Sequence, residues 1–382
     1  MPRRKKEKGI RGFGSVYQRG SDGRYVAKYK AEDTRSGYKE EYARTEAEAY
    51  AKLEKAWLAK QQGRLATGPQ QTVEQFFEYW LEDVHQGNIS YSSYRQYRKL
   101  LRNYVLPTLG KTKLQNLSAD QINALYTSMK KRKYAAETIR AVHRMLHKAL
   151  KDAVNWSRLS FNVCDKVQPP RAEKHDIQPL DKEQAQRLLE AAKGTRLETL
   201  LILAVTTGMR QGELIGLKWQ DINFEEGGLQ VRRSVGRDKQ GRLVENPPKT
   251  EQSRRKILLP RFVMEALLQE RKRQAAMRVR FASVWQERDI VFAARAGGFR
   301  DPSEIRREFK NLLKEAGLPN IRFHDLRHSA ATILLSMGIH PKLVQELLGH
   351  SSITMTMDRY SHVLPSMQRE MMNKLDDLFT GE

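Results

Sequence analysis

The sequence holds a single cysteine, Cys164, among 382 residues, so no intramolecular disulfide can form. That fits a reducing cytosol. Long apolar runs are missing too: the longest, around Leu200–Val205, is far too short to span a bilayer. The N-terminal MPRRKKEKGIRG is basic without an apolar stretch behind it, so no secretory signal is expected. No GxxxxGK[ST] loop cradles a nucleotide, no HExxH pair offers a zinc site, and the motifs described below hold few carboxylates for metal ions. No cofactor and no metal are therefore expected. Internal repeats and low-complexity tracts are absent.

Positive charge is what the chain has in excess. Lys and Arg number 69 against 45 Asp and Glu, a net +24. The excess is spread: +8 over residues 1–70, +9 over 71–175 and +7 over 176–382. A basic tail would concentrate it, whereas successive domains following a polyanion would share it. Nucleic acid is the leading partner. An anionic membrane surface calls for an amphipathic anchor beside the basic cluster, and none stands out.

Hydrophobic periodicity divides the chain into three. Over residues 1–66, three short β-prone segments (Ser15–Gln18, Arg24–Lys30 and Tyr38–Arg44) are separated by glycine-containing turns. Alternation in the middle one sets Lys28 and Lys30 on one face. Thr45-x-x-Glu48 then reads as a capping box, opening a helix with Tyr50, Leu53 and Trp57 on one stripe. Over residues 72–170, four helical patterns are expected at Thr72–Val84, Ser92–Val105, Ala119–Lys131 and Ala135–Trp156. Ile139, Val142, Leu146, Leu150 and Val154 form the apolar face of the last. Basic rows lie at Arg95, Arg98, Lys99 and Arg102, and at Lys130-Lys131-Arg132-Lys133. Residues 177–382 read as mostly helical with a β-rich insertion: strands at Leu229–Val235 and Arg254–Pro260 around a turn-rich Gly236–Pro248. The fold class expected is mainly α with small β-sheets.

Four motifs in the last segment carry chemistry. TTGMRQGELIGLKW places Arg210 three positions before Glu213, on one helical face. PPKTEQSRRKILLP sets Lys249 in a turn, RFHDLRHSAATIL brings His324, Arg327 and His328, and LLGHSSITMTMDRY carries His350 and Tyr360. Bland readings exist: a surface ion pair for Arg210 and Glu213, a half-buried aromatic for Tyr360. Together, however, two arginines, a lysine, histidines and a tyrosine suit metal-free phosphodiester transesterification. Paired guanidinium forks clamp non-bridging oxygens whose charge grows in the transition state. A phenol with a free pKa near ~10 needs a neighbour to take its proton. A sugar alkoxide leaving group needs an acid.

TGMRQGEL, HDLRH, LGHSS and TMDRYSH resemble, in order and spacing, the Arg…Lys…His-x-x-Arg…His…Tyr set of the tyrosine recombinases, the phage and conjugative-transposon integrases. The resemblance covers essentially the whole chain. It implies an arm-type DNA-binding domain (1–66) with a three-stranded sheet and a helix, a helical core-binding domain (72–170) and a catalytic domain (177–382). It also implies roles: Arg210 and Arg327 on the scissile phosphate, Lys249 as acid for the 5′-oxygen, His324 as proton acceptor, His350 on the phosphate, Glu213 in support and Tyr360 as nucleophile. His328 and His362 would be structural. The DNA-contacting candidates are Lys28, Lys30, Arg95, Arg98, Lys99, Lys131 and Arg132. The implied partners are core-type and arm-type DNA sites, three further copies of the chain, and directionality or DNA-bending factors. In the tail, Met371, Leu375 and Leu378 form an apolar stripe suited to docking on a neighbouring copy. Type IB topoisomerases share the chemistry, a non-catalytic DNA-binding regulator would keep only the fold, and chromosome-dimer resolving members of the family usually lack the N-terminal domain.

Overall fold

A computed structural model describes residues 8–30, 37–61, 71–171, 178–247, 254–349 and 372. The chain forms two compact units, Met1–Lys174 and His175–Glu382.

The first unit opens with an antiparallel sheet of four strands in sequential order: β1 (Lys8–Ile10), β2 (Gly14–Gln18), β3 (Tyr25–Lys30) and β4 (Tyr38–Ala43). The sequence led to three. β1 is only three residues long and carries one apolar side chain, too little for a period-2 pattern to register. Helix α1 (Glu46–Gln61) covers one face of the sheet, burying Phe13, Val16, Ala27, Tyr29, Ala43, Ala49, Leu53 and Ala56. The approach is close at Gly14, where a Cβ would stand 2.4 Å from the Lys28 carbonyl and 2.7 Å from Leu53. Thr45 does cap α1, accepting from the Glu48 amide at 3.2 Å. The Glu48 carboxylate reaches back one residue further than a capping box requires, to the Arg44 amide at 3.1 Å.

The helical portion comprises α2 (Val73–Glu78), continuing through a π-type segment over Tyr79–Val84, and α3 (Tyr91–Leu100), continuing likewise over Leu101–Val105 into α4 (Leu106–Leu109). Helices α5 (Ala119–Lys131) and α6 (Ala136–Asn155) complete it. Two capping boxes open helices here, Thr72 with Gln75 at α2 and Ser118 with Gln121 at α5. On α6, Ile139, Val142, Leu146 and Leu150 are buried as the periodicity requires; Val154 is only half-buried, and Ala153 fills the core in its place. The Trp80 indole donates to Asp152 at 2.8 Å, tying the α2 extension to α6.

The second unit contains α7 (Lys182–Ala192), α8 (Glu198–Thr207), α9 (Gln211–Ile215), β5 (Ile222–Asn223), β6 (Gly228–Val231), β7 (Ser234–Arg237), β8 (Leu243–Asn246), β9 (Arg255–Leu258), α10 (Arg261–Arg280), α11 (Pro302–Glu315), α12 (Asp325–Ser336) and α13 (Pro341–Leu348). Helix α8 is apolar on nearly every side and sits in the middle of the core, where Leu200, Leu201, Leu203 and Ala204 are sealed from solvent. The expected strand Leu229–Val235 is two strands. It breaks at Arg232-Arg233; β6 pairs with β5 and β9, while β7 pairs with β8 in a separate hairpin. The cause is the Arg233 guanidinium, which turns inward to the buried Asp221 carboxylate and reaches Glu245 of β8 at 3.5 Å. The turn-rich stretch therefore hides a strand. No helix among the described residues is long and apolar enough to cross a membrane.

Candidate active site

The site grows from the end of α8. Thr207 hands over to Gly208, whose left-handed conformation (φ 62°) stops the helix. Only glycine fits there. Besides the backbone strain, an added Cβ would fall 2.3 Å from Leu348 Cδ2 on α13. The turn leaves the Gly208 carbonyl pointing at α12, where Arg327 Nη1 donates to it at 2.9 Å. Arg327 is 3% exposed. Thus an arginine more than a hundred positions away is docked two residues from Arg210.

Arg210 is the residue before α9, with extended backbone (φ −69°, ψ 149°), and so does not share a helical face with Glu213 as the spacing suggested. Glu213 instead reaches back from the first turn. It accepts the Arg210 amide at 3.0 Å and Arg210 Nη1 at 2.8 Å. The partners differ in access: the Arg210 side chain is 39% exposed and that of Glu213 is 4%. A ligand can reach the arginine; the carboxylate can only hold it.

Glu213 has a second cation. Arg255, on β9, donates Nη2 to Glu213 at 3.1 Å and Nε to the Leu347 carbonyl near the end of α13 at 2.6 Å. Burial pushes the Glu213 carboxyl up, but Arg255 and the two Arg210 donors outweigh it, leaving the pKa below the ordinary carboxylate range. The same burial lowers the Arg255 pKa, with Glu213 opposing. Sequence reasoning passed over Arg255, although a signal was there. In RKIL, the arginine and Ile257 face the core while Leu258 is 72% exposed. An arginine on the inward face of a strand requires a buried anion.

His324 immediately precedes α12 and remains open to solvent. The protein packed about its ring lowers its pKa below the usual histidine value; Arg327, and then Arg210 and Arg322, repel its charged form, with Asp325 opposing. At neutral pH its imidazole is therefore uncharged and able to accept a proton. Asp325 is pinned by Arg322 through its backbone amide and its guanidinium, both at 2.8 Å. The buried His328 ring meets that of His324 edge to face, centroids 5.5 Å apart. Ser329 was not anticipated from sequence; its hydroxyl accepts from the Leu180 amide at 2.9 Å and fastens the start of the unit to α12.

Lys249, His350, Tyr360, His362 and the tail stripe at Met371, Leu375 and Leu378 lie outside the described residues. In the first unit, Lys28 pairs with Glu40 at 3.2 Å and Lys30 is exposed. The outer sheet face is less basic than alternation implied, because Val26 on it is fully buried, flanked in register by Tyr17 and Tyr42. Arg95 lies over Tyr91 and Arg98 over Tyr94, while Lys99, Lys131 and Arg132 are exposed.

Comparison with known proteins fits this geometry. Residues 178–367 match the phage integrase family, and residues 72–130 match the phage integrase N-terminal SAM-like domain. A XerC-like tyrosine recombinase of Caldanaerobacter subterraneus subsp. tengcongensis is 32% identical over 359 residues, 89% of this chain and 92% of that one. An integrase of Saccharopolyspora erythraea is 26% identical, over 81% of this chain and 83% of its own. In fold, the chain is similar to the Tn1549 transposon integrase in complex with transposon right end DNA (TM-score 0.69, 23% identity, 80% of this chain and 99% of that one). It is also similar to a lambda integrase tetramer bound to a Holliday junction (TM-score 0.57, 21% identity, 90% and 94%). The chain belongs to the tyrosine recombinase family. It is a tyrosine-type site-specific DNA recombinase.

Proposed function

We propose that the chain integrates and excises a mobile element, cutting and rejoining duplex DNA through a 3′-phosphotyrosyl intermediate. Tyr360 attacks the scissile phosphorus as His324 takes the phenolic proton. The bond to the 5′-oxygen breaks, and Lys249 protonates that oxygen. Arg210, Arg327 and His350 neutralise the non-bridging oxygens as their charge grows. The products are a phosphotyrosine ester and a free 5′-hydroxyl, and reversal by another strand's 5′-hydroxyl restores a phosphodiester. One ester is exchanged for another of similar energy, so no nucleotide is consumed.

The observation that carries this reading is the convergence at Gly208. Arg327 is docked on its carbonyl, and Arg210, two residues on, is presented to solvent by a buried carboxylate. The uncharged His324 beside them supports the base role. Residues 1–66 act as the arm-type module, residues 72–170 as the core-binding module and residues 177–382 as the catalytic domain. Four copies assemble on DNA in the bacterial cytosol, with directionality and bending factors selecting the reaction's sense. The aromatic-backed row of Arg95 and Arg98, with Lys99, Lys131 and Arg132, follows the phosphates at core sites; Lys28 and Lys30 serve the arm sites.

A suicide substrate nicked beside the core site tests this. Wild-type protein is expected to form a covalent adduct in the presence of a metal chelator, and Tyr360→Phe to form none. An adduct with Tyr360→Phe overturns the nucleophile assignment.

A further inference from the structure

We infer that Arg255 is a positioning residue of the cleavage reaction, coupling the placement of Arg210 to the end of α13. This rests on the reading of Arg210 as the phosphate-binding arginine. The observations form one continuous chain. Arg210 Nη1 donates to Glu213 Oε1 at 2.8 Å, Arg255 Nη2 donates to Glu213 Oε2 at 3.1 Å, and Arg255 Nε donates to the Leu347 carbonyl at 2.6 Å. Leu347 lies in the last turn of α13, where helical carbonyls have no partner of their own, so the guanidinium supplies one.

The chain has one open end. Glu213 and Arg255 have side chains only 4% and 7% exposed, whereas Arg210 stands 39% exposed. A displacement of α13 or β9 is thus transmitted to the only member a DNA phosphate can touch. A second contact ties α13 to the same turn, because Leu348 packs where a Gly208 Cβ would be. Packing sets the distance between α13 and the Gly208 turn; the arginine sets the direction in which Arg210 points. Only arginine suits the position. Its planar fork serves a carboxylate and a carbonyl in two directions at once, whereas a lysine at β9 is a point charge that satisfies Glu213 and abandons Leu347.

A double-mutant cycle on single-turnover adduct formation at saturating DNA tests the coupling, since adduct accumulation also records slow variants. Arg255→Lys is expected to leave DNA affinity within about twofold of wild type and to slow adduct formation by about 10- to 100-fold, the cost of a small misplacement. In an Arg210→Lys background, Arg255→Lys is expected to add little, because its effect passes through Arg210. A purely structural residue would instead lower the melting temperature and multiply the Arg210→Lys defect by its full factor. That multiplication overturns the inference, as does a wild-type rate in Arg255→Lys. Should Arg255→Lys fail to fold, Arg255→Gln leaves no buried cation unpaired while Glu213 keeps Arg210, and it enters the same cycle, where little added defect supports the coupling and full multiplication overturns it. Tyr360→Phe, run alongside, separates failures: an adduct there sinks the mechanism, whereas an additive cycle with Tyr360→Phe inactive sinks only the role of Arg255.

Discussion

Two glutamates, one in each unit, sit among cations and behave differently. Glu40 lies on the outer face of the first unit's sheet, within reach of Lys28 at 3.2 Å and the Tyr17 and Tyr42 hydroxyls at 3.3 Å. Glu213 lies between Arg210 and Arg255 with almost no solvent. Both carboxyls have lowered pKa values: Glu40 chiefly through its hydrogen bond to Lys28, Glu213 because its arginines overcome a burial that works against ionisation. On an open face, water screens the pair and makes it expendable. In the core, the carboxylate is the counter-charge that a buried arginine meets, so removing it takes that compensation away. The same residue type makes an exposed surface pair in one unit and a buried bridge in the other.

The comparison breaks most readily at Glu213. Glu213→Ala is expected to destabilise the protein by about 3–5 kcal/mol, because Arg255 is left buried without its partner; chemical denaturation measures this. Its pH dependence has a definite sign. A carboxyl whose folded pKa is depressed contributes stability above its unfolded value and loses it as pH falls through the folded one. Acid unfolding of wild type should therefore show a step below pH ~4.5 that Glu213→Gln lacks. A step of equal size in Glu213→Gln would assign it to other carboxyls.

His324 comes next. His324→Ala should slow adduct formation by roughly 100-fold, the usual scale for a general base. In wild type the rate should stay level from neutrality down past pH ~6.5 and fall only below it, since the depressed pKa keeps the imidazole uncharged there. An acid limb above ~6.5 would mean that another group accepts the proton. The smallest effect belongs to Glu40. Glu40→Gln should change stability by less than about 1 kcal/mol, because the pair is exposed. It should also tighten arm-site binding by freeing Lys28, with a steeper dependence on salt. Weaker binding in a salt titration would show that Glu40 orients Lys28 instead of masking it.

Much of this was legible in the sequence because it is local. The cap at Thr45 and the apolar stripe of α6 are encoded within a few residues of where they act. The motif order alone named Arg210, Glu213, His324 and Arg327. What periodicity could not register were features set by distant charge. The strand break at Arg232-Arg233 answers to Asp221 and Glu245. The inward face of β9 answers to Glu213.

By itself, then, the sequence determined which functional groups are present and in what order. Tertiary structure decided how they are held. Arg255 meets Glu213 from 42 positions away and the Leu347 carbonyl from 92, and Arg327 meets Gly208 from 119. No repeat in the chain encodes such separations. They follow from desolvation: once the core closes over a guanidinium or a carboxylate, its partner has to be whichever opposite charge or carbonyl the fold brings within about 3 Å.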